Sequence, residues 1–121
     1  MNGNDIVIVS ATRTAIGKFG GQFATTSAIE LGTAVAKSAI QKAKLSPDQI
    51  DTVIFGNVLQ AGLGQNPARQ VGLQAGLLHS STALTVNEVC GSGLKAIILA
   101  AQSLRLGDAK IVLAGGMENM S

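Results

Sequence analysis

Cys90 is the residue of this sequence best suited to covalent chemistry. It is the only cysteine among 121 residues, and Gly91, Ser92 and Gly93 follow it. A cysteine thiolate attacks carbonyl carbons, and the small residues after it leave the backbone open to a substrate. We therefore predict that Cys90 is a nucleophile whose own N–H could donate to the resulting oxyanion. The alternative is a buried core thiol, the commoner fate of a lone cysteine in an apolar segment.

A cysteine nucleophile needs a base, and the sequence offers few candidates for that role. His79 is the only histidine and stands in a polar loop, so we interpret it as a solvated residue that does not serve Cys90. Glu118 follows a glycine pair and could act as an acid or base, but a structural hydrogen bond to nearby backbone is the favoured interpretation. The base is therefore expected to lie outside these residues.

Other candidate sites are excluded by spacing. The glycines around Lys18 match neither the Walker nor the dinucleotide pattern, so Gly17, Gly20 and Gly21 predict a turn. No cluster of His, Cys and carboxylates has the spacing of metal ligands, and no metal is predicted.

Strands that alternate with helices would position Cys90. Short β-branched or apolar runs predict strands, while a capping box at Ser27, the Asn66–Pro67 pair and the stop at Gly107 predict helix ends. The predicted strands cover 6–9, 52–55, 84–86 and 111–114, and the predicted helices run from Ser27 to about 44, from Asn66 to about 77, and over 94–106. This order, βαβαβαβ, predicts a layered α/β fold with a mostly parallel sheet and right-handed crossovers. Cys90 then lies where a strand ends and a helix begins, and both the carboxyl edge of a parallel sheet and a helix N-terminus favour a reactive thiolate.

The helix predicted over 94–106 is apolar around nearly its whole circumference. A helix of that kind is buried on all sides. A single sheet with helices on two faces leaves the outer side of each helix in water, so we expect further structure to cover this one. The sequence is therefore interpreted as part of a larger fold.

Composition excludes several function classes. With 2% aromatic residues, no Trp or Tyr and a net charge of +2 without a basic run, nucleic-acid binding is not expected. One cysteine cannot form an internal disulfide, and the first residues lack a secretory signal, so a cytoplasmic location is predicted. The longest apolar stretch is shorter than the roughly 20 residues that cross a bilayer, so no membrane span is predicted.

Four segments in order resemble the thiolase family. Residues 87–96 resemble the acyl-enzyme segment around the nucleophile, and 8–21 resemble the N-terminus of the family. Residues 56–62 with 65–69 match a further segment, and 114–121 match the end of the first signature region. By this resemblance residues 1–121 form an N-terminal thiolase half-domain, without the loop domain and the C-terminal half.

The resemblance implies an activity that the residues alone do not. Cys90 would take an acetyl group from acetyl-CoA, and the carbanion of a second acetyl-CoA would attack it to give acetoacetyl-CoA, with thiolysis as the reverse reaction. Coenzyme A thioesters would be substrates, with no other cofactor, and the enzyme would be a homodimer or homotetramer. The helix after the nucleophile would lie between the sheets of two similar halves. Gly91 and Lys95 resemble bacterial biosynthetic acetoacetyl-CoA thiolases.

Two other functional hypotheses remain open from the sequence. A ketosynthase-type condensing enzyme also carries a cysteine at a strand-to-helix junction, although its segments differ at 87–96 and 115–121. An inactive fragment with a folding or assembly role is the other, because a base is absent. For these residues alone we expect no thiolysis of acetoacetyl-CoA.

Overall fold

A three-stranded parallel sheet forms the centre of the structure. The structure is a computed structural model that describes residues 4–121. Its elements are α1 (Ala28–Lys42), a 3₁₀ turn (Pro47–Gln49), β1 (Thr52–Gly56), α2 (Pro67–Gln74), β2 (Thr82–Val86), α3 (Ser92–Leu106) and β3 (Val112–Gly116). The strand order is β2-β1-β3, and both pairings are parallel, as predicted.

The two faces of the sheet are covered by different helices. α1 and α2 pack on one face, where Val53, Phe55 and Leu113 of the strands meet Val71. α3 packs on the other face, where Ala96 and Ala100 of the helix lie against Ile54. Side chains of neighbouring strand residues point to opposite faces, so Val53 and Ile54 enter different cores. The layered α/β architecture predicted from the sequence is confirmed.

The helix ends follow the predicted capping signals. The Ser27 Oγ accepts from the Glu30 N–H, and the Ser27 N–H donates to the Glu30 carboxylate, both at 3.0 Å. The Asn66 Oδ1 accepts from the Arg69 N–H at 3.2 Å and starts α2, which ends at Gln74, three residues before the predicted end. α3 ends at Gly107, whose φ of 80° suits a residue without a Cβ.

The strand predicted over 6–9 is wrong. No residue of the described chain pairs with this segment, and Val7, Ile8 and Val9 are 47%, 78% and 67% exposed. A cavity of about 1500 Å³ lies between the segment and β3, the edge strand of the sheet. β-branched residues favour extended backbone, but a strand also needs a partner about 4.8 Å away. Directly after the segment, the Ser10 Oγ donates to the Ala39 carbonyl of α1 at 2.7 Å.

The outer face of α3 is exposed within the described chain. Leu94 is 65% exposed, Ile97 44% and Ile98 42%, whereas Ala96 on the sheet side is fully buried. The sequence predicted that a helix of this composition requires cover on all sides. Residues 4–121 supply that cover only on the face toward the sheet.

One window of the described chain is apolar and long enough to cross a membrane. It is Val89–Leu106, with a mean hydropathy of 1.2, and it contains α3. The core helix of a soluble protein passes the same test, and Lys95 and Arg105 lie within the window. Length and composition alone are therefore weak evidence that α3 spans a membrane.

Candidate active site

Cys90 lies in the connection between β2 and α3. β2 ends at Val86 and α3 begins at Ser92, so the thiol stands at the carboxyl edge of the parallel sheet and two residues before a helix, as predicted. Its side chain is exposed and forms no disulfide. Within residues 4–121 the thiol is therefore not the buried core thiol of the alternative interpretation.

A tight turn presents the thiol. Val89, the residue before Cys90, has a φ of 52°, a left-handed conformation that is strained for a β-branched residue. The Gly91 N–H donates to the Glu88 carbonyl at 3.0 Å, and the Ser92 N–H donates to the Val89 carbonyl at 3.2 Å. Among residues 4–121, no backbone carbonyl lies within full hydrogen-bond geometry of the Cys90 N–H, which is compatible with the donor role predicted for it.

The first turn of α3 lies directly on the backbone of the sheet. A Cβ built on Gly56, the last residue of β1, would stand 2.6 Å from the Ser92 Cβ, and one on Gly116 would stand 3.3 Å from the Gly93 Cα. Gly56 therefore requires glycine for this approach, and a side chain at Gly116 would be tightly packed. The two glycines are also neighbours in the sheet, so together they form the surface on which the start of α3 packs.

Glu118 ties two segments together at the same edge of the sheet. Its carboxylate accepts from the Val58 N–H at 2.9 Å, the Leu59 N–H at 3.1 Å and the Asn57 Nδ2 at 3.2 Å. Asn57 is buried and also donates to the Met117 carbonyl at 3.1 Å. The structural role favoured for Glu118 from the sequence is confirmed by these contacts.

His79 is not placed to serve Cys90. It is exposed in the loop before β2, and its carbonyl accepts from the Arg69 guanidinium at 2.9 Å. Cys90 follows the opposite end of that strand. Five strand residues span about 16 Å at 3.3 Å each, far beyond hydrogen-bond reach. The sequence interpretation of His79 as a solvated loop residue is confirmed.

The charged residues that flank Cys90 in the sequence pair with each other. The Lys95 Nζ lies 3.7 Å from the Glu88 Oε1, and both side chains are partly exposed. Within residues 4–121, no group of three or more His, Cys, Asp or Glu side chains could hold a metal ion. The predicted glycine turn also forms, since the Gly21 N–H donates to the Lys18 carbonyl at 2.9 Å.

Sequence reasoning did not identify the roles of Ser92 and Val89. The Ser92 Oγ accepts from the Glu88 N–H and donates to the Val89 carbonyl, both on the other side of Cys90. Neither periodicity nor composition predicts these two bonds. A serine two residues after a candidate nucleophile, beside glycines, is the one available signal. The left-handed Val89 carries no signal, because a valine gives no indication of positive φ.

Comparisons with known proteins agree with this geometry. The family described as "Thiolase, N-terminal domain" matches residues 6–121. The acetyl-CoA acetyltransferase of Escherichia coli is 61% identical over 95% of this chain and 29% of its own length. That of Allochromatium vinosum is 60% identical over 100% and 30%, and the cytosolic mouse enzyme is 55% identical over 96% and 29%. The chain thus spans less than a third of these relatives.

A solved structure has the same fold. The Acat5 thiolase from Ascaris suum, crystallised in complex with coenzyme A, matches with a TM-score of 0.89 at 45% sequence identity. The match covers 90% of this chain and 28% of that one.

Proposed function

This chain belongs to the thiolase family, and from that premise we propose that it is the N-terminal half-domain of an acetyl-CoA acetyltransferase whose nucleophile is Cys90. The observation that carries the proposal is the exposed thiol of Cys90 at the carboxyl edge of the sheet, in a chain 61% identical to an acetyl-CoA acetyltransferase. The substrates would be acetyl-CoA and acetoacetyl-CoA, which agrees with the coenzyme A complex of the related Ascaris suum thiolase.

The proposed reaction has two half-reactions. The Cys90 thiolate attacks the carbonyl carbon of acetyl-CoA, a sulfur–carbon bond forms, and the bond to the CoA sulfur breaks, so that CoA leaves and takes up a proton. A second acetyl-CoA then loses a proton from its methyl carbon to a base. The resulting carbanion attacks the acetyl group on Cys90, which releases acetoacetyl-CoA and the free thiolate. The Cys90 N–H would donate to the oxyanion in both steps.

The remaining parts of the reaction require residues that this chain does not supply. His79 is too distant to act as a base, and Glu118 is occupied by three hydrogen bonds. The activating histidine, the second cysteine and the coenzyme A-binding loops of thiolases would lie in the remainder of a longer enzyme. That enzyme would be a cytoplasmic homodimer or homotetramer, and the cytosolic mouse relative supports the location.

The alternative of a ketosynthase-type enzyme is less well supported. Eight relatives between 50% and 61% identical are described as acetyl-CoA acetyltransferases. We therefore expect acetyl transfer from acetyl-CoA itself, without a carrier protein.

A hybrid enzyme tests the proposal. In this hybrid enzyme the present chain replaces the matching 115-residue segment of the Escherichia coli acetyl-CoA acetyltransferase. We expect it to cleave acetoacetyl-CoA, and Cys90→Ala to lower kcat by at least about 1000-fold. His79→Ala is the matched control and should retain activity. A Cys90→Ala hybrid that retains normal activity would contradict the proposal.

A further inference from the structure

We infer that Ser92 is a positioning residue for Cys90: its buried hydroxyl holds the strained turn at Val89 and so keeps the thiol directed at the substrate. The inference rests on the proposed function of Cys90 as nucleophile. It adds a second residue, and a specific reason for its side chain, to the same reaction.

Ser92 bonds the backbone on the far side of Cys90. Its Oγ accepts from the Glu88 N–H at 2.8 Å and donates to the Val89 carbonyl at 2.7 Å. The residue is 5% exposed. One hydroxyl therefore connects the first turn of α3 to the two residues that precede the nucleophile.

The turn needs such a restraint because of the conformation of Val89. A φ of 52° is unfavourable for a β-branched residue and persists only where the surroundings enforce it. Packing among residues 4–121 does not enforce it, since Val89 is 65% exposed. Hydrogen bonds restrain the turn instead. Ser92 donates twice to the Val89 carbonyl, and the Val89 N–H donates to the exposed Asn87 Oδ1 at 2.9 Å. The Gly91 N–H also closes the turn on the Glu88 carbonyl at 3.0 Å.

Ser92 is itself held in place by the sheet. Its backbone and Cβ lie on Gly56, where an added Cβ would approach the Ser92 carbonyl carbon to 2.5 Å. The position of the hydroxyl is thus fixed relative to the end of β1. Because the hydroxyl donates to one backbone group and accepts from another, its proposed role is to hold the turn.

The test uses Ser92→Ala in the hybrid enzyme. A misplaced nucleophile lowers the rate of the chemical step, so we expect kcat to fall about 10- to 100-fold while KM changes less than about twofold. Val89→Asn should then restore at least about tenfold of kcat in the Ser92→Ala background, because Asn tolerates the left-handed conformation without a clamp. Val89→Ile in the same Ser92→Ala background is the control. It stays β-branched and should leave kcat as low as in Ser92→Ala alone.

Each outcome decides the inference. Full kcat in Ser92→Ala, or no recovery with Val89→Asn, would overturn it. If Ser92→Ala does not fold, the Ser92→Ala/Val89→Asn double variant should fold and turn over, and its failure would equally overturn the inference. The proposed function fails separately, by activity in Cys90→Ala, whatever Ser92 does.

Discussion

Hydrogen bonds from the backbone to Glu118 fix the loop after β1 beside the end of β3. Three donors converge on this carboxylate, two of them backbone N–H groups of Val58 and Leu59. A carboxylate suits this position because both of its oxygens accept and neither donates. The loop that it holds begins at Asn57, directly after the glycine on which α3 rests.

Glu118→Gln should destabilise the hybrid enzyme. An amide presents an NH₂ where the second carboxylate oxygen accepted a bond, which leaves at least one N–H without a partner and costs about 1–2 kcal/mol. We expect inactivation at a lower urea concentration. Glu88→Gln is the control, because Glu88 makes only a partly exposed ion pair at 3.7 Å, whose expected contribution is small. Equal urea midpoints for the two variants would contradict this role of Glu118.

Among single residues, the sequence pointed to Cys90 as the proposed nucleophile but not to the contacts that hold it. Cys90 could be predicted because thiol reactivity depends on residue type and because a strand run precedes it. The contact between Ser92 and Gly56 joins residues 36 positions apart in the chain, which local patterns do not contain. The Ser92 hydroxyl bonds backbone only three and four residues away, but a serine beside glycines does not specify those two bonds. The burial of Asn57 likewise depends on residues distant in the chain, such as Met117, to whose carbonyl it donates.

Asp51 joins the beginnings of two strands at the opposite edge of the sheet. It directly precedes β1, and its carboxylate accepts from the Lys110 N–H at 2.7 Å and the Ile111 N–H at 3.1 Å, just before β3. These backbone hydrogen bonds, first that of Lys110 and then that of Ile111, lower the pKa of the Asp51 carboxyl below its ordinary value. The charged form is therefore the one that stabilises the fold.

The lowered pKa of Asp51 makes its contribution to folding stability depend on pH. A lowered pKa in the folded state contributes stability above the unfolded pKa of about 3.9, and that stability is lost as pH falls through the lower folded value. Asp51→Asn should therefore lower the melting temperature of the hybrid enzyme equally at pH 7 and pH 5. The difference between variant and parent should narrow below about pH 4. A difference that widens on acidification would contradict this account.

At the scale of elements, strands and helices with local signals were predicted well. The capping box at Ser27 and the Asn66–Pro67 start are formed by neighbours in the chain, and both helices begin as predicted. The segment 6–9 has a strand-like sequence, yet a strand depends on pairing with a distant partner. Its composition predicts extended backbone and does not predict the partner.

The molecule as a whole presents one apolar helix face without cover. α1 and α2 together enclose one side of the sheet, whereas α3 alone covers the other and leaves its outer residues exposed. They include Leu94, Ile97, Ile98 and Leu106. Exposed apolar patches of this kind mark surfaces that other protein structure covers. The proposed second half of the enzyme accounts for the face.

The 121-residue chain on its own should therefore bind a hydrophobic dye or aggregate. We expect strong fluorescence of such a dye, clearly reduced by Ile98→Lys on the outer face of α3. Leu78→Lys is the control, since Leu78 is similarly exposed, at 50%, but lies in the loop after α2. Elution as a sharp monomer without dye binding would contradict the uncovered face.

The mass of the acyl-enzyme shows directly whether Cys90 carries the acetyl group. The hybrid enzyme is mixed with acetyl-CoA alone and quenched in acid. It is then digested, and the masses of its peptides are measured by mass spectrometry. The account predicts one added acetyl group on the peptide that contains Cys90, removed by adding free coenzyme A and absent from Cys90→Ala. An acetyl group found on another residue, with none on Cys90 while the enzyme turns over, would contradict it.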